Sequence, residues 1–186
     1  MKKLSILLLL FLGSFNLFAQ VSSDKALMAG VGYALSSNRE SDGQGMSYQF
    51  GYQLPIGIKK RIRFIPSLTF GTFTENGFDT EFGINSYFNS TNLKLDLNFD
   101  VIKIESFSFI LGTGIGGNYS TGLTIAGTSN TIRESHLTTN LLLGFRVNPP
   151  NHRLGYELNL FNASLNFMSW YAEASPFQFR VFWKYK

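Results

Sequence analysis

Apolar and polar residues alternate along most of this chain with a period of two. Leu93, Leu95, Leu97, Phe99 and Val101 interleave with Asn92, Lys94, Asp96, Asn98 and Asp100. A helix would scatter those apolar residues around its circumference, whereas a strand puts them on one face and every charge on the other. Tyr48, Phe50, Tyr52, Leu54 and Ile56 alternate in the same way with Ser47, Gln49, Gly51, Gln53 and Pro55. Near the end, Phe177, Phe179, Val181, Trp183 and Tyr185 alternate with Gln178, Arg180, Phe182 and Lys184. The pattern predicts eight strands, over 26–36, 46–57, 61–73, 90–101, 105–117, 135–147, 152–162 and 176–186. Each is near the ~9–11 residues that a tilted strand needs to cross a bilayer, or a little longer.

The connections between these segments alternate in length. Ser37–Gly45, Thr74–Asn89, Asn118–Glu134 and Ala163–Ser175 are long, while Gly57–Lys60, Ile102–Ile104 and Asn148–Asn151 are short. A membrane makes the two ends of a barrel unequal in this way, with tight turns on one side and longer loops on the other. Tyr33, Tyr48, Phe73, Phe145, Tyr156, Trp183 and Tyr185 fall near predicted strand ends, where amphipathic rings form interfacial girdles. Pro66 lies inside the third segment, and a closed sheet has no free edge to receive it, so a bulge or a displaced turn is expected there.

The first twenty residues differ from the rest. Lys2 and Lys3 precede an apolar run from Leu4 to Leu12, and Ala19-Gln20 closes a less apolar stretch. This is the pattern of a cleaved secretory signal peptide, leaving 21–186 as the mature domain. The run is too short for a spanning helix, which needs ~20 apolar residues. Charged residues make up 15% of the chain and aromatics 16%, against roughly 25% charged in a soluble domain, so something other than water covers much of the surface. There is no cysteine, which excludes disulfides, thiolate metal sites and a lipid-anchored cysteine. Without Lys2 and Lys3 the balance is 14 basic to 12 acidic residues with no clustered basic stripe, so no nucleic-acid partner is expected.

Leader, eight alternating segments, unequal connections and an aromatic-rich last strand together resemble the small bacterial outer-membrane β-barrels of the OmpA transmembrane-domain, OmpX and OmpW kind. The Phe-Ala-Gln leader end and the Lys-terminated last strand are similar to such barrels from Bacteroidetes-type bacteria. The resemblance covers nearly all of the mature chain. It implies an all-β, eight-stranded, antiparallel up-and-down barrel in the outer membrane, with short periplasmic turns and longer extracellular loops. It also implies outer-membrane lipid and the barrel-assembly machinery as partners. The family's usual terminal aromatic is penultimate here, Tyr185 preceding Lys186.

Three candidate chemistries reduce to structural readings. Gly112-Thr113-Gly114-Ile115-Gly116-Gly117 matches a dinucleotide-binding string, but no helical pattern follows to present amides to a phosphate. Inward glycines that leave room for neighbouring side chains explain it. Glu134, Ser135 and His136 suggest a lipid hydrolase, yet adjacent strand residues point to opposite faces, and a histidine at the base of a loop is preferred. His152 falls in the Pro149-Pro150 turn, and two separated histidines do not make a zinc site. No cofactor, metal or catalytic residue is expected.

What remains is a polar inner face carrying Arg63, Lys94, Asp96, Asp100, Arg146, Arg153, Glu157, Arg180 and Lys184. Of these, Lys94, Asp96, Arg146, Glu157 and Arg180 are expected to form a charge-paired lumen network, with Glu157 and Arg180 adjacent. The last long connection, with Phe167, Met168, Trp170 and Tyr171, is the expected loop surface for extracellular or envelope protein contacts. The favoured reading is a non-catalytic barrel with a filled lumen and contact loops. Alternatives are a small porin-like channel or transporter for small or apolar solutes, and an outer-membrane lipid hydrolase. A soluble lipocalin-type binder would instead put apolar residues inside and charges outside.

Overall fold

The computed structural model describes residues 25–37, 42–57, 59–75, 86–124, 130–166, 168 and 171–185. The leader and most residues of the outer connections lie outside this set. Eight strands form one closed antiparallel barrel in sequence order, β1 (Ala26–Ser37), β2 (Asp42–Ile56), β3 (Ile62–Thr74), β4 (Ser86–Ile104), β5 (Phe107–Thr124), β6 (Asn130–Val147), β7 (Leu154–Asn166) and β8 (Tyr171–Lys184). Closure pairs β1 with β8, so that Ala26 lies opposite Lys184 and Val31 opposite Phe179. A closed barrel satisfies its backbone groups within the sheet, which is what allows a β-structure to sit in hydrocarbon.

The expected facing holds along the fourth strand. Asn92, Lys94, Asp96, Asn98 and Asp100 are buried inside, while Leu93, Leu97, Phe99 and Val101 are exposed on the outer surface. Leu27, Val31, Tyr48, Phe50, Leu111, Leu141, Leu158 and Phe179 continue that apolar exterior around the barrel. Burial is thus inverted relative to a water-soluble protein. The interior holds Arg63, Arg146, Arg180, Asp100, Glu157 and many amides and hydroxyls, and the exterior is leucine and phenylalanine.

Three tight turns and both ends of the barrel's chain lie on one side, here called the turn end. Gly57 (φ 76°), Lys60 (φ 51°) and Glu105 (φ 49°) take left-handed conformations in two of those turns, and the turn at Gly57 uses the glycine's freedom directly. At the opposite, outer end the strands run further than the alternation predicts. β4, β5 and β6 are 19, 18 and 18 residues long. Much of what reads as the Asn118–Glu134 and Thr74–Asn89 connections is strand. The β6–β7 ladder begins only at Thr139 opposite Leu165, so β4, β5 and β6 rise as a wall above β7. Beyond the apolar band both faces of a strand can be polar, and the period-two signal that marks a strand disappears.

Pro66 needs neither a bulge nor a displaced turn. Its ladder with β4 is continuous, with Pro66 opposite Leu95. On the other side the β2–β3 ladder lapses between Gly51–Ser67 and Leu54–Phe64 and resumes in the same register. The missing N–H of proline costs a local interruption of one ladder and no shift. Bulges occur elsewhere, beside Val101 in β4, beside Leu160 in β7 and at Ser175-Pro176 in β8. Phe73, expected among the girdle aromatics, points inward and stacks on Phe88 with ring centroids 5.0 Å apart. Arg153 and Lys184, expected on the inner face, lie at the rim: Arg153 is exposed and Lys184 half-buried.

Candidate functional site

The lumen is arranged in layers along the barrel axis. Nearest the turn end, three arginines meet two carboxylates. Glu157 accepts from Arg146 Nε at 2.9 Å on one oxygen and from Arg180 Nη1 at 2.9 Å on the other. Asp100 pairs with Arg63 and lies 3.3 Å from Arg146 Nη1. The Arg146 guanidinium also stands 5.2 Å from the ring centroid of Phe182, a cation–π distance. Every one of these side chains is at most 3% exposed. The paired register of Glu157 with both Arg146 and Arg180 across β6, β7 and β8 puts the three at one height.

Gln178 extends this layer. Its Oε1 accepts from Arg180 Nε at 3.0 Å and Asn162 Nδ2 at 2.7 Å. Above it, Asp96 accepts from Asn140 Nδ2 at 2.9 Å, and Gln49 Nε2 donates to Ser67 at 2.7 Å. Lys94 is buried in the field of Glu173 and Asp96. Inward glycines make this density possible. A Cβ on Gly30 would stand 2.9 Å from Arg180 Cγ, and one on Gly114 would collide with the Asp96 carboxylate. The G-x-G-x-x-G string is therefore a strand interior shaped for its neighbours.

The outer layer contains residues that the sequence pattern assigned to loops. Glu173 Oε2 accepts from Ser90 Oγ, Asn92 Nδ2 and Tyr171 Oη, each at 2.8 Å. Tyr171 is 1% exposed and points into the barrel, so it is no part of an outer contact surface. Of the other three residues expected on that surface, Met168 is 95% exposed, while Phe167 and Trp170 lie outside the described residues. His136 belongs to β6, not to a loop base. Its ring faces inward, stacks on Tyr171 at 4.9 Å and bonds Glu134 at 3.0 Å. Ser135 faces the opposite side of the strand and is exposed, so no Ser–His pair forms within this triplet.

Two apolar clusters flank the polar column: Ala26, Met28, Ile65 and Phe182 lie beside the arginine layer, and Ala34, Phe73 and Phe88 lie toward the outer end. Among the described residues no group of three or more His, Cys, Asp or Glu side chains is placed to hold a metal ion. No helix among them is long and apolar enough to cross a membrane. The chemistry available in the lumen is that of ion pairing and hydrogen bonding between fixed side chains.

An apolar exterior, a charge-paired interior and a closed eight-stranded sheet define a transmembrane-type β-barrel of the small outer-membrane class. Solved structures of that class share the fold. Neisserial surface protein A superposes with a TM-score of 0.63 at 12% identity, covering 87% of this chain and 97% of that one. Ail, the attachment invasion locus protein of Yersinia pestis, gives a TM-score of 0.55 at 12% identity, covering 88% of this chain and 99% of that one. Ail in complex with the heparin analogue sucrose octasulfate gives 0.52 at 13% identity. No family model matches the sequence, and neither does any curated protein sequence.

Proposed function

We propose that this chain is exported by its cleaved leader, inserted by the barrel-assembly machinery, and resident in the outer membrane as a non-catalytic, non-conducting barrel. Its turn end faces the periplasm and its raised β4–β5–β6 wall faces outward. The observation that carries this reading is the Arg146–Glu157–Arg180 clamp. Three buried side chains from three adjacent strands occupy the lumen at one height, and with Arg63 and Asp100 beside them every charge in the layer has a partner of opposite sign. Eight strands enclose an interior about wide enough for side chains alone. The outer end then serves for contact with extracellular or envelope partners, where the exposed Met168 and the high wall are available. Ail was solved with a heparin analogue, which supports the view that this fold can present a ligand surface. Among the described residues the outer end exposes Asp42 and Glu75 against Arg133, a balance that does not favour a polyanion as partner.

A porin-like channel is the second reading, favoured by Asn98, whose two side-chain polar atoms have no protein partner and call for water. Planar-bilayer recording separates the two. The filled lumen predicts no steady conductance from the refolded protein, and stable ion-conducting openings would put the channel first.

A further inference from the structure

The membrane-facing surface contains a groove of about 470 Å³ near the turn end, within the ~300–1,000 Å³ that small-molecule sites occupy. Phe107 and Phe145 stand on one side with ring centroids 5.5 Å apart, and Tyr156 and Phe179 on the other at 6.2 Å. The shorter Val147 and Leu158 lie between them. The β6–β7 turn, Asn148–Arg153, follows directly on Val147, and Lys184 donates to its Pro149 carbonyl at 2.7 Å.

The rim below is strongly basic. The β2–β3 turn carries Lys59, Lys60 and Arg61, the β4–β5 hairpin Lys103, and the β6–β7 turn an exposed Arg153. Among the described residues of these turns the one carboxylate is Glu105, whereas the opposite rim is acidic. A groove whose exposed lining is almost all apolar, near a cationic rim, matches a molecule with a hydrocarbon chain and an anionic head.

We infer that this face is a preferential site for an anionic phospholipid of the periplasmic leaflet, its acyl chain in the Phe107–Phe179 groove and its phosphate at Arg153 and Lys103. The inference rests on the outer-membrane reading above and adds lipid selectivity to it. Basic side chains near an anionic leaflet contribute roughly 1 kcal/mol each, about a fivefold preference apiece. Val147 and Leu158, as short residues between aromatic walls, keep the groove open.

Trp183 is an internal reporter. It is outward-facing, 54% exposed, and paired with Leu154 at the start of β7, beside the groove. The chain has two tryptophans, so Trp170→Phe leaves Trp183 as the sole tryptophan, excited selectively over the tyrosines at the red edge of absorption. The W170F protein is refolded into phosphatidylcholine vesicles containing increasing mole fractions of brominated phosphatidylglycerol or brominated phosphatidylcholine. Insertion is scored separately by the mobility shift between heated and unheated samples. We expect phosphatidylglycerol to quench at about one-twenty-fifth the mole fraction that phosphatidylcholine requires, about fivefold for each of Arg153 and Lys103. Arg153→Ala with Lys103→Ala should remove that preference, as should ~1 M salt, where the Debye length falls to about 3 Å. Val147→Phe, which fills the groove and keeps the charges, should weaken it too. Equal quenching by the two lipids in a barrel that shifts on heating would overturn the inference alone, as would a preference that survives loss of both basic residues. Absence of both the shift and all quenching would overturn the membrane reading and this inference with it.

Discussion

Glu157→Gln removes one negative charge from a site where three guanidinium N–H groups converge on a carboxylate that is fully buried. The side chain keeps its shape, so the change is electrostatic. Before it, Arg63, Arg146 and Arg180 face Asp100 and Glu157. After it, the same three cations face Asp100 alone, and an amide N–H replaces one acceptor. Breaking a buried ion pair from one side costs about 3–5 kcal/mol. Asp100, still 3.3 Å from Arg146, retains part of the compensation and places the expected loss near ~3 kcal/mol. Urea unfolding in lipid vesicles, followed by gel mobility and by tryptophan emission, measures it. Arg180→Gln in the same background should recover part of the loss, because the uncompensated cation is then gone. The double-mutant cycle should show a coupling of roughly 2 kcal/mol. A Glu157→Gln barrel within about 0.5 kcal/mol of the parent would refute the clamp, since surface-like substitutions fall in that range.

Leu97→Arg puts a charge on the exposed apolar face of β4 and should cost about 2–4 kcal/mol in the same unfolding assay. Asn98→Ala, one residue along and inward, removes two polar atoms that have no protein partner and should cost less than about 1 kcal/mol; equal losses would contradict the facing. His136→Ala takes away a ring stacked on Tyr171 and should cost about 1 kcal/mol while leaving the fold intact. Neither it nor the parent should release fatty acid from phospholipid or lipid A in a hydrolysis assay, and an activity lost in the variant would reinstate the hydrolase.

The strand count, the closed antiparallel topology and the inner and outer faces of β4 were legible because the bilayer enforces strict alternation wherever one face meets hydrocarbon. Lys94, Asp96, Arg146, Glu157 and Arg180 share the inner parity of their strands, which restricts each ladder to alternate registers. Two physical effects hid the rest. Outside the apolar band alternation is no longer required, so Tyr87, Phe88 and Asn89 read as loop although they are strand. The Ser175-Pro176 bulge also switches parity within β8. Gln178 and Arg180 point inward at even positions, but Glu173 and Tyr171 do so at odd ones. A proline next to a parity break was the available signal for that bulge. Phe73 was misplaced for a simpler reason. It shares parity with Arg63 on β3, and that parity outranks the general preference of aromatics for an interface.

Whether the folded chain is an integral outer-membrane barrel is decided by its partitioning and its gel mobility. Outer membranes from cells expressing the full sequence, washed with alkaline carbonate, can be run on a denaturing gel with and without prior boiling. The expected result is that the protein stays in the washed membrane pellet and that unboiled and boiled samples migrate to different positions. Recovery in the soluble periplasmic fraction, with a single mobility under both treatments, would contradict it.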